Sequence, residues 1–237
     1  MQRHLGPLAK EFMKKGVVTA MLDTTVEKAI RAMDEHNIGS VVVLDNLGPC
    51  GVFTERDLLS RILARGRNPL TTTIAEVMSP KFPSINSTQT LEETAAAMID
   101  RKSRLMVFEG AELVGIVTPT DLVRVLKGAG EDFSILKVIS TRVVTVLPET
   151  PIDVVVKLMD EKKIGSVIVT EDDRWAGIFT ERDLLKRILA PRRRLDTRVA
   201  DVASRPLVTA EPGILGREAA GTMALHGFKR LPLVLKD

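Results

Sequence analysis

The chain has 237 residues, with 34 lysines and arginines against 31 aspartates and glutamates, and a formal net charge of +3 at pH 7. This length can bury one large core or two small ones, and so small an excess of charge is weak evidence for a nucleic-acid partner. A single cysteine, Cys50, excludes an internal disulfide, and the apolar runs are too short to span a bilayer or form a secretory signal, so we expect a folded cytoplasmic protein without a membrane partner.

The first predicted element is a helical segment in residues 1–16, within the stretch PLAKEFMKKG. A longer helix is predicted in DTTVEKAIRAMDEHN, where Asp23, Thr24 or Thr25 is suited to cap its start. Its apolar residues recur at helical spacing: Val26, Ala29, Ile30 and Met33. This periodicity is typical of an amphipathic α-helix.

A β-hairpin is predicted next. The β-branched run IGSVVVL is followed by the turn sequence DNLGPCG and by a second short run, GVF. A second helix, ERDLLSRILA, closes the unit. A strand or turn, a helix, two strands and a helix predict an α/β architecture of small modules that pair to cover their sheets.

This unit is repeated along the chain. A shift of 126 residues aligns residues 17–64 with 143–190 without a gap, and 24 of the 48 aligned positions are identical. A fainter repeat matches IAEVMS at 74–79 with VADVAS at 199–204. The order of the units is therefore A, B, A, B. The predicted boundaries are 1–16 for the N-terminal segment and 17–66, 74–128, 137–190 and 199–237 for repeats 1 to 4.

One motif ends the second hairpin strand three times: GVFTERDLL at 51–59, GIVTPTDLV at 115–123 and GIFTERDLL at 177–185. A threonine with an aspartate three residues later is close to a capping box, which needs no ligand. Pro119 favours this interpretation in the second copy, because the first helical position needs no N–H. A cap does not require the glycine, however, and could use serine or asparagine in place of threonine.

The order of elements, with IGSVVV in the first hairpin strand and G-hydrophobic-x-[S/T]-x-x-D ending the second, resembles the cystathionine-β-synthase (CBS) domain. The resemblance covers the chain from about Val17 to its C-terminus as four repeats. It implies an α/β fold of tandem repeats, paired into two modules that form a disk, as in four-repeat proteins similar to the γ subunit of AMP-activated protein kinase. It also implies binding of an adenine nucleotide: AMP, ADP or ATP.

The resemblance implies a ribose-side role for three threonine–aspartate pairs: Thr54 with Asp57, Thr118 with Asp121, and Thr180 with Asp183. An ionised carboxylate offers two oxygens to the neighbouring hydroxyls of a ribose, and the start of a helix favours phosphate oxygens. The motif glycine would let a flat base approach the backbone closely. Thr19 and Thr145, in VVTA and VVTV, resemble the residues whose backbone contacts the base.

Three basic residues are candidates for phosphate binding, because they precede predicted hairpin strands where related sensors hold phosphate-contacting side chains. They are Arg104 in KSRLMV, and Lys229 and Arg230 in FKRLPLV. Arginine can bind phosphate through two parallel hydrogen bonds and lysine as a point charge. The alternative is that these residues are solvated at a strand edge.

The remaining features predict neither catalysis nor a metal site. Arg56 and Arg182 are expected to be ordinary surface residues of a first helical turn, and PRRRLDTR a solvated linker without the aromatics of a nucleic-acid site. The three histidines lack metal-ligand spacing, Cys50 has no assigned base, and neither phosphate-loop motif, G-x-x-x-x-G-K-[S/T] or G-x-G-x-x-G, occurs. We expect no enzyme activity, no cofactor and no metal.

Repeat 4 is predicted to be incomplete, since the sequence stops at Asp237 before a second hairpin strand and a fourth motif. The exposed sheet edge would then need a cover, either the N-terminal helical segment or a second copy in a homodimer. The expected function is regulatory sensing of an adenine nucleotide, passed to an unknown partner protein by a change of shape. The alternatives are a structural or interaction module with caps only, or a sensor of S-adenosyl ligands.

Overall fold

The structure of the protein is a computed structural model that describes residues 6–80, 82–101, 104–126, 140–172 and 174–235. Within these residues the architecture is mixed α/β, with three small sheets of three strands each. The predicted N-terminal helical segment lies outside the described residues at 1–5, as do parts of the predicted repeats at residues 81, 102–103, 127–128, 137–139, 173 and 236–237.

The elements of the first two repeats lie in the order that the sequence predicts. They are α1 Ala9–Phe12, β1 Thr19–Met21, α2 Val26–Glu35, β2 Ser40–Asp45, β3 Gly48–Thr54, α3 Glu55–Asp57, α4 Ile74–Val77, β4 Ser84–Asn86, α5 Leu91–Arg101, β5 Leu105–Glu109, β6 Glu112–Val117 and α6 Pro119–Leu126. A π-helical turn at Leu58–Ile62 continues α3, where the sequence predicts ordinary α-helix.

The third repeat follows the first, and a helix lies in the last part of the chain. The elements are β7 Thr145–Val146, α7 Ile152–Glu161, β8 Ser166–Glu171, β9 Arg174–Thr180, α8 Glu181–Asp183 and α9 Gly216–His226. A π-helical segment at Leu184–Leu189 continues α8, as in the first repeat.

Each sheet has the same topology. The first strand pairs in parallel with the second, which forms an antiparallel hairpin with the third: β1-β2-β3, β4-β5-β6 and β7-β8-β9. The predicted hairpins are confirmed, but the first turn is shorter than DNLGPCG. Pro49 and Cys50 lie within β3, because a register shift between Val43 and Leu44 absorbs the extra residue.

The amphipathic helix α2 confirms the periodicity of the sequence. Thr25 is its N-cap and accepts a hydrogen bond from Lys28 N at 3.4 Å. All four apolar residues that the spacing identified are buried: Val26, Ala29, Ile30 and Met33. The helix therefore covers one face of the first sheet with the residues that the 3.6-residue period selects.

The chain divides into two compact units. The repeat 1/3 unit comprises Val18–Lys81 and Ser140–Leu207, and the repeat 2/4 unit comprises Met1–Val17, Phe82–Ile139 and Val208–Asp237. The sequence predicts paired repeats, and the structure groups the first with the third. The N-terminal segment packs with the second repeat, where Ala9 is buried in the core.

Repeats 1 and 3 exchange one leucine each. Leu59 of the first repeat is buried in the core cluster of the third, which contains Phe179. Leu185 of the third repeat is buried in the core cluster of the first, which contains Phe53. The two leucines are equivalent positions of the 126-residue repeat. Neither core is complete without the other repeat, so the two should unfold together.

An ion pair also joins these two repeats. Arg192, in the linker after the third repeat, donates to Glu27 Oε1 of α2 at 2.6 Å. Arg31 contacts the same oxygen at 2.6 Å. The Arg192 guanidinium, followed by that of Arg31, lowers the pKa of the Glu27 carboxyl below its ordinary value of 4.5.

Removing either exchanged leucine should destabilise both repeats. We expect Leu59→Ala and Leu185→Ala each to lower the free energy of unfolding by about 2–5 kcal/mol, because each leaves a cavity in the core of the opposite repeat. Denaturant unfolding, followed by circular dichroism and by the fluorescence of Trp175 in β9, measures this loss. Leu47→Ala is the control, since Leu47 is 97% exposed. Equal stability of Leu59→Ala and the control would contradict the exchange.

The Glu27 ion pair should make stability depend on pH. A carboxyl whose pKa is lowered by folding stabilises the folded state above its unfolded pKa, and loses this contribution as the pH falls through its folded pKa. Glu27→Gln should therefore be less stable than the parent by up to about 1 kcal/mol at pH 7, with the difference shrinking below pH 4.5. Melting curves at pH 7 and pH 3 test this, with the exposed Glu35→Gln on the same helix as control. A constant difference would count against the ion pair.

Candidate functional site

The three motifs occupy one recurring place in the fold, where the second hairpin strand ends and a helix begins. Thr54 and Thr180 are the last residues of β3 and β9, and Thr118 directly follows β6. Each motif aspartate is the third residue of the following helix: Asp57, Asp121 and Asp183. The three aspartates are buried, with exposed fractions of 4%, 1% and 6%.

In the first and third copies the threonine and aspartate form a capping box. Asp57 Oδ2 accepts hydrogen bonds from Thr54 N at 2.9 Å and from Thr54 Oγ1 at 2.7 Å, and Asp57 N donates to Thr54 Oγ1 at 3.2 Å. The corresponding distances between Thr180 and Asp183 are 2.9, 2.7 and 3.3 Å. The predicted cap is confirmed, and it uses only one oxygen of each carboxylate.

The other carboxylate oxygen faces two further side chains. Asp57 Oδ1 accepts from Ser79 Oγ at 3.4 Å and lies 3.3 Å from Arg61 Nε. The third copy repeats this arrangement with Ser204 Oγ at 2.9 Å and Arg187 Nε at 3.3 Å from Asp183 Oδ1. In these two copies both oxygens of the buried carboxylate therefore have partners within the protein.

The second copy keeps the cap but changes the surroundings of the second oxygen. Asp121 Oδ2 accepts from Thr118 N at 2.9 Å and from Thr118 Oγ1 at 2.6 Å. Asp121 Oδ1 is buried and, within the described part of the chain, has no hydrogen-bond donor. Its neighbours are two cations at longer range, Lys14 Nζ at 4.0 Å and Arg124 Nη1 at 3.7 Å.

The motif glycine is required because a second chain segment, the crossing segment, passes close over its strand. The crossing segment is residues 78–79 at Gly51, 13–14 at Gly115 and 204–205 at Gly177. A Cβ atom on Gly51 would lie 2.7 Å from Met78 Sδ and 2.8 Å from Ser79 O, both too close for van der Waals contact. Gly115 and Gly177 meet the same restriction from Lys14 O and Ser204 O, each at 2.9 Å. The sequence suggested a ligand base at this place, whereas the structure places protein backbone there.

The glutamate and arginine inside the motif TERD join repeats 1 and 3. Arg56 Nε lies 2.7 Å from Glu181 Oε1, and Arg182 Nε lies 2.5 Å from Glu55 Oε1. The expectation that Arg56 and Arg182 are ordinary surface residues is therefore wrong. Both glutamate side chains are almost fully buried, which makes the two reciprocal ion pairs costly to break from one side. The second copy, TPTD, has no charge at either position.

The other predicted site residues are more dispersed. Thr19 and Thr145 begin β1 and β7 and are exposed; in the described chain no hydrogen bond joins either to a motif aspartate. Arg104 is half-buried, directly before β5. Lys229 and Arg230 follow α9 in the last described segment. The structure thus brings together each threonine–aspartate pair, while the roles of these five residues stay predictions.

Six side chains that complete the motifs were not predicted from the sequence: Ser79, Ser204, Arg61, Arg187, Lys14 and Arg124. A signal for the serines was present, because they are the last residues of the matched stretches IAEVMS and VADVAS. The two arginines of repeats 1 and 3 stand four residues after their aspartates, one helical turn away. That the serines lie beside the same carboxylates could not be inferred without the tertiary fold.

Two negative findings accompany this geometry. Across the described residues no group of three or more histidine, cysteine, aspartate or glutamate side chains is placed to hold a metal ion. In the same part of the chain no helix has the length and apolar composition needed to cross a membrane.

Comparison with known proteins identifies the family. The family model for the CBS domain matches residues 9–64, 74–128 and 135–190, which together are more than half of the chain. The chain belongs to the CBS-domain family. Its match to three segments agrees with the three complete copies of the motif, while a fourth repeat at 199–237 stays a prediction.

Solved structures confirm the fold of tandem CBS repeats. Protein MJ1225 of Methanocaldococcus jannaschii, described as a candidate archaeal homologue of g-AMPK, has a TM-score of 0.79 at 19% identity, covering 97% of this chain and 94% of that one. A conserved protein of Pyrococcus horikoshii has a TM-score of 0.66 at 21% identity, covering 98% and 92%. At these identities the likeness establishes the fold alone.

Curated relatives share the sequence over part of their length. Protein MJ1404 of Methanocaldococcus jannaschii is 25% identical over 254 residues, which is 99% of this chain and 59% of that protein. The CBS domain-containing protein YhcV of Bacillus subtilis is 34% identical over 114 residues, 48% of this chain and 81% of that one. The chain spans 59–63% of the length of three curated relatives that it matches.

The crossing segments give a prediction for the motif glycines. We expect Gly51→Ala and Gly177→Ala each to lower the free energy of unfolding by about 1–3 kcal/mol, because the new methyl group must push the crossing backbone off the strand. Gly213→Ala is the matched control, since its Cβ would meet no atom within 4 Å. Thermal melting of the three variants makes the comparison. If all three melted like the parent, close approach of the segments would not explain the glycines.

Proposed function

We propose that the protein is a regulatory sensor of adenine nucleotides, AMP, ADP or ATP, which changes shape on binding and thereby signals to a partner protein. The ribose hydroxyls would donate to the motif aspartates Asp57, Asp121 and Asp183. The proposal assigns the chain no enzyme activity and no cofactor. Its partner protein, and assembly into a homodimer, stay predictions.

One observation carries this proposal. In each motif the cap uses only carboxylate oxygen Oδ2, and a second oxygen of the same buried carboxylate faces a cation 3.3–4.0 Å away. A helix cap alone needs neither that oxygen nor a nearby cation. A ligand with both hydroxyl and phosphate groups uses both, since hydroxyls donate to the carboxylate and phosphate pairs with the cation.

The contacts of Arg61 suggest how binding would change the shape of the protein. Arg61 contacts Asp57 Oδ1 and also donates to Val77 O at 2.9 Å and to Met78 O at 2.5 Å. A hydroxyl that replaces Arg61 at Asp57 would loosen its hold on the segment that crosses Gly51. The ligand would therefore favour a different position of this segment, which is the differential affinity that a sensor requires.

A structural role is the second candidate. Asp57 and Asp183 have protein partners at both oxygens, which is what a pure capping and packing function would also produce. Nucleotide titration separates the two candidates. S-adenosyl ligands share the ribose and the adenine with AMP, so the aspartates do not distinguish them, and they belong in the same titration series.

Calorimetric titration with AMP, ADP and ATP tests the sensor. We expect dissociation constants between about 1 μM and 1 mM, and a melting temperature that rises with ligand concentration, because only the folded motifs bind the ribose. Asp57→Asn and Asp183→Asn should each weaken their site about ten- to a hundredfold, since the amide has one acceptor and no charge. The free energy of unfolding of each variant should fall by only about 1 kcal/mol, because asparagine can also accept a capping hydrogen bond.

Asp45→Asn is the matched control for these variants, because it removes the same charge at the hairpin turn of the first repeat, away from the motifs. Two results would contradict the proposal. One is a parent protein that shows neither heat nor a melting shift with any of the three nucleotides. The other is a set of motif Asn variants that bind as the parent does and lose stability only, which would make the carboxylates caps.

A further inference from the structure

The second motif keeps the threonine cap but differs from the other two around the second oxygen of its carboxylate. Lys14 bridges to Ile116 at the place where Ser79 bridges to Val52 and Ser204 to Ile178. A lysine therefore stands where the other two copies have a serine.

Lys14 leaves the second carboxylate incompletely satisfied. The Asp121 side chain is fully buried, yet its Oδ1 has no hydrogen-bond donor among the described residues, whereas serine hydroxyls donate to the equivalent oxygens of Asp57 and Asp183. A buried carboxylate oxygen without a donor is unfavourable, because it has lost its water without a replacement. This oxygen therefore has an unused acceptor position.

The arginine of the second motif is also held differently. Arg187 donates to Val202 O and Ala203 O, as Arg61 does to the equivalent carbonyls, so both guanidinium groups are fixed on the crossing segments. Arg124 stands three rather than four residues after its aspartate, and in the described chain it contacts Asp121 at 3.7 Å without a backbone carbonyl partner. Its side chain is 64% exposed and that of Lys14 is 46% exposed. Both cations can reach a ligand in solvent.

A third basic residue, Arg104, lies next to the threonine of the second motif. Leu105 pairs with Val117, so Arg104 and Thr118 are the next residues outward on the two strands. The equivalent position holds Ser40 in the first repeat and Ser166 in the third, which pair with the motif threonines. Two serines of the other motifs are thus replaced by a lysine and an arginine in the second.

We propose that the second motif is the site that recognises the phosphate groups of the ligand, with Lys14, Arg124 and Arg104 as the phosphate-binding residues and Asp121 as the acceptor for a ligand hydroxyl. This inference rests on the proposed nucleotide function and adds which of the three sites recognises the phosphate groups. The motifs of repeats 1 and 3 have serines in place of two of these cations and one arginine each, Arg61 and Arg187, so we expect them to bind the nucleotide with a weaker preference for phosphate.

The charges of the site select for a ligand with two kinds of group. A free phosphate ion would be attracted by the cations and repelled by the Asp121 carboxylate beside them. A nucleoside would satisfy the buried oxygen and leave the cations unused. A nucleoside phosphate does both at once, because its hydroxyls donate to the carboxylate while its phosphate oxygens pair with Lys14 and Arg124.

Replacement of Lys14 by the serine of the other copies tests the inference. Adenosine, AMP and ADP are titrated by calorimetry into the parent, Lys14→Ser, Arg124→Ala and the control Lys15→Ser, which removes the same charge at the adjacent exposed residue. We expect Lys14→Ser and Arg124→Ala to weaken AMP and ADP binding about tenfold at one site and to leave adenosine binding unchanged. The preference for phosphate should also fall with added salt in the parent and much less in Lys14→Ser.

The outcomes separate this inference from the function on which it rests. A parent that binds none of the three ligands contradicts the nucleotide function and the inference with it. The inference alone is overturned if the parent binds AMP no better than adenosine, or if Lys14→Ser binds AMP as the parent does. Neither result contradicts the proposed sensor function. Since Lys14 is exposed and caps no helix, loss of folding does not obscure the result, and unchanged melting of the free variant verifies this.

Discussion

The hydrogen bonds between a buried aspartate and the threonine three residues before it fix the junction of strand and helix in each motif. The rest of the repeat 1/3 unit depends on this junction. Because Thr54 and Asp57 are held together, Glu55 and Arg56 between them reach the opposite repeat, and Leu59 one turn later enters its core. The identity of the two TERDLL stretches agrees with this, since each copy is the partner surface of the other.

Capping is compatible with the ligand binding that we propose, because the two would use different oxygens of one carboxylate. Oδ2 closes the helix start in all three motifs, and Oδ1 faces a basic side chain. The glycine serves a separate purpose, which is to admit the segment that brings Ser79 or its equivalent to that second oxygen. In one short motif, the threonine and aspartate thus fix the start of the helix, and the glycine leaves space for the crossing segment. The second aspartate oxygen is a hydrogen-bond acceptor for that segment.

The three motifs are not equivalent, and the difference follows the two compact units. In the repeat 1/3 unit, two nearly symmetric motifs have complete internal partners and charged residues that join the repeats. In the repeat 2/4 unit, the motif has proline and threonine in place of the joining charges, and lysine in place of the serine. Its carboxylate is correspondingly the least satisfied of the three, and for this reason we assign the recognition of phosphate to it as a proposal.

The sequence by itself determined the repeats, the amphipathic helices, the hairpins and the caps, because periodicity and capping act between residues a few positions apart. It also located all three threonine–aspartate pairs, and it belongs to a family whose fold it shows. Only the tertiary structure decided that repeat 1 packs with repeat 3, that Arg56 and Arg182 form reciprocal ion pairs, and that Lys14 faces Asp121. These contacts join residues about 100 positions apart, or segments of different repeats, and no local pattern encodes them, since they arise from which surfaces meet when the repeats pack.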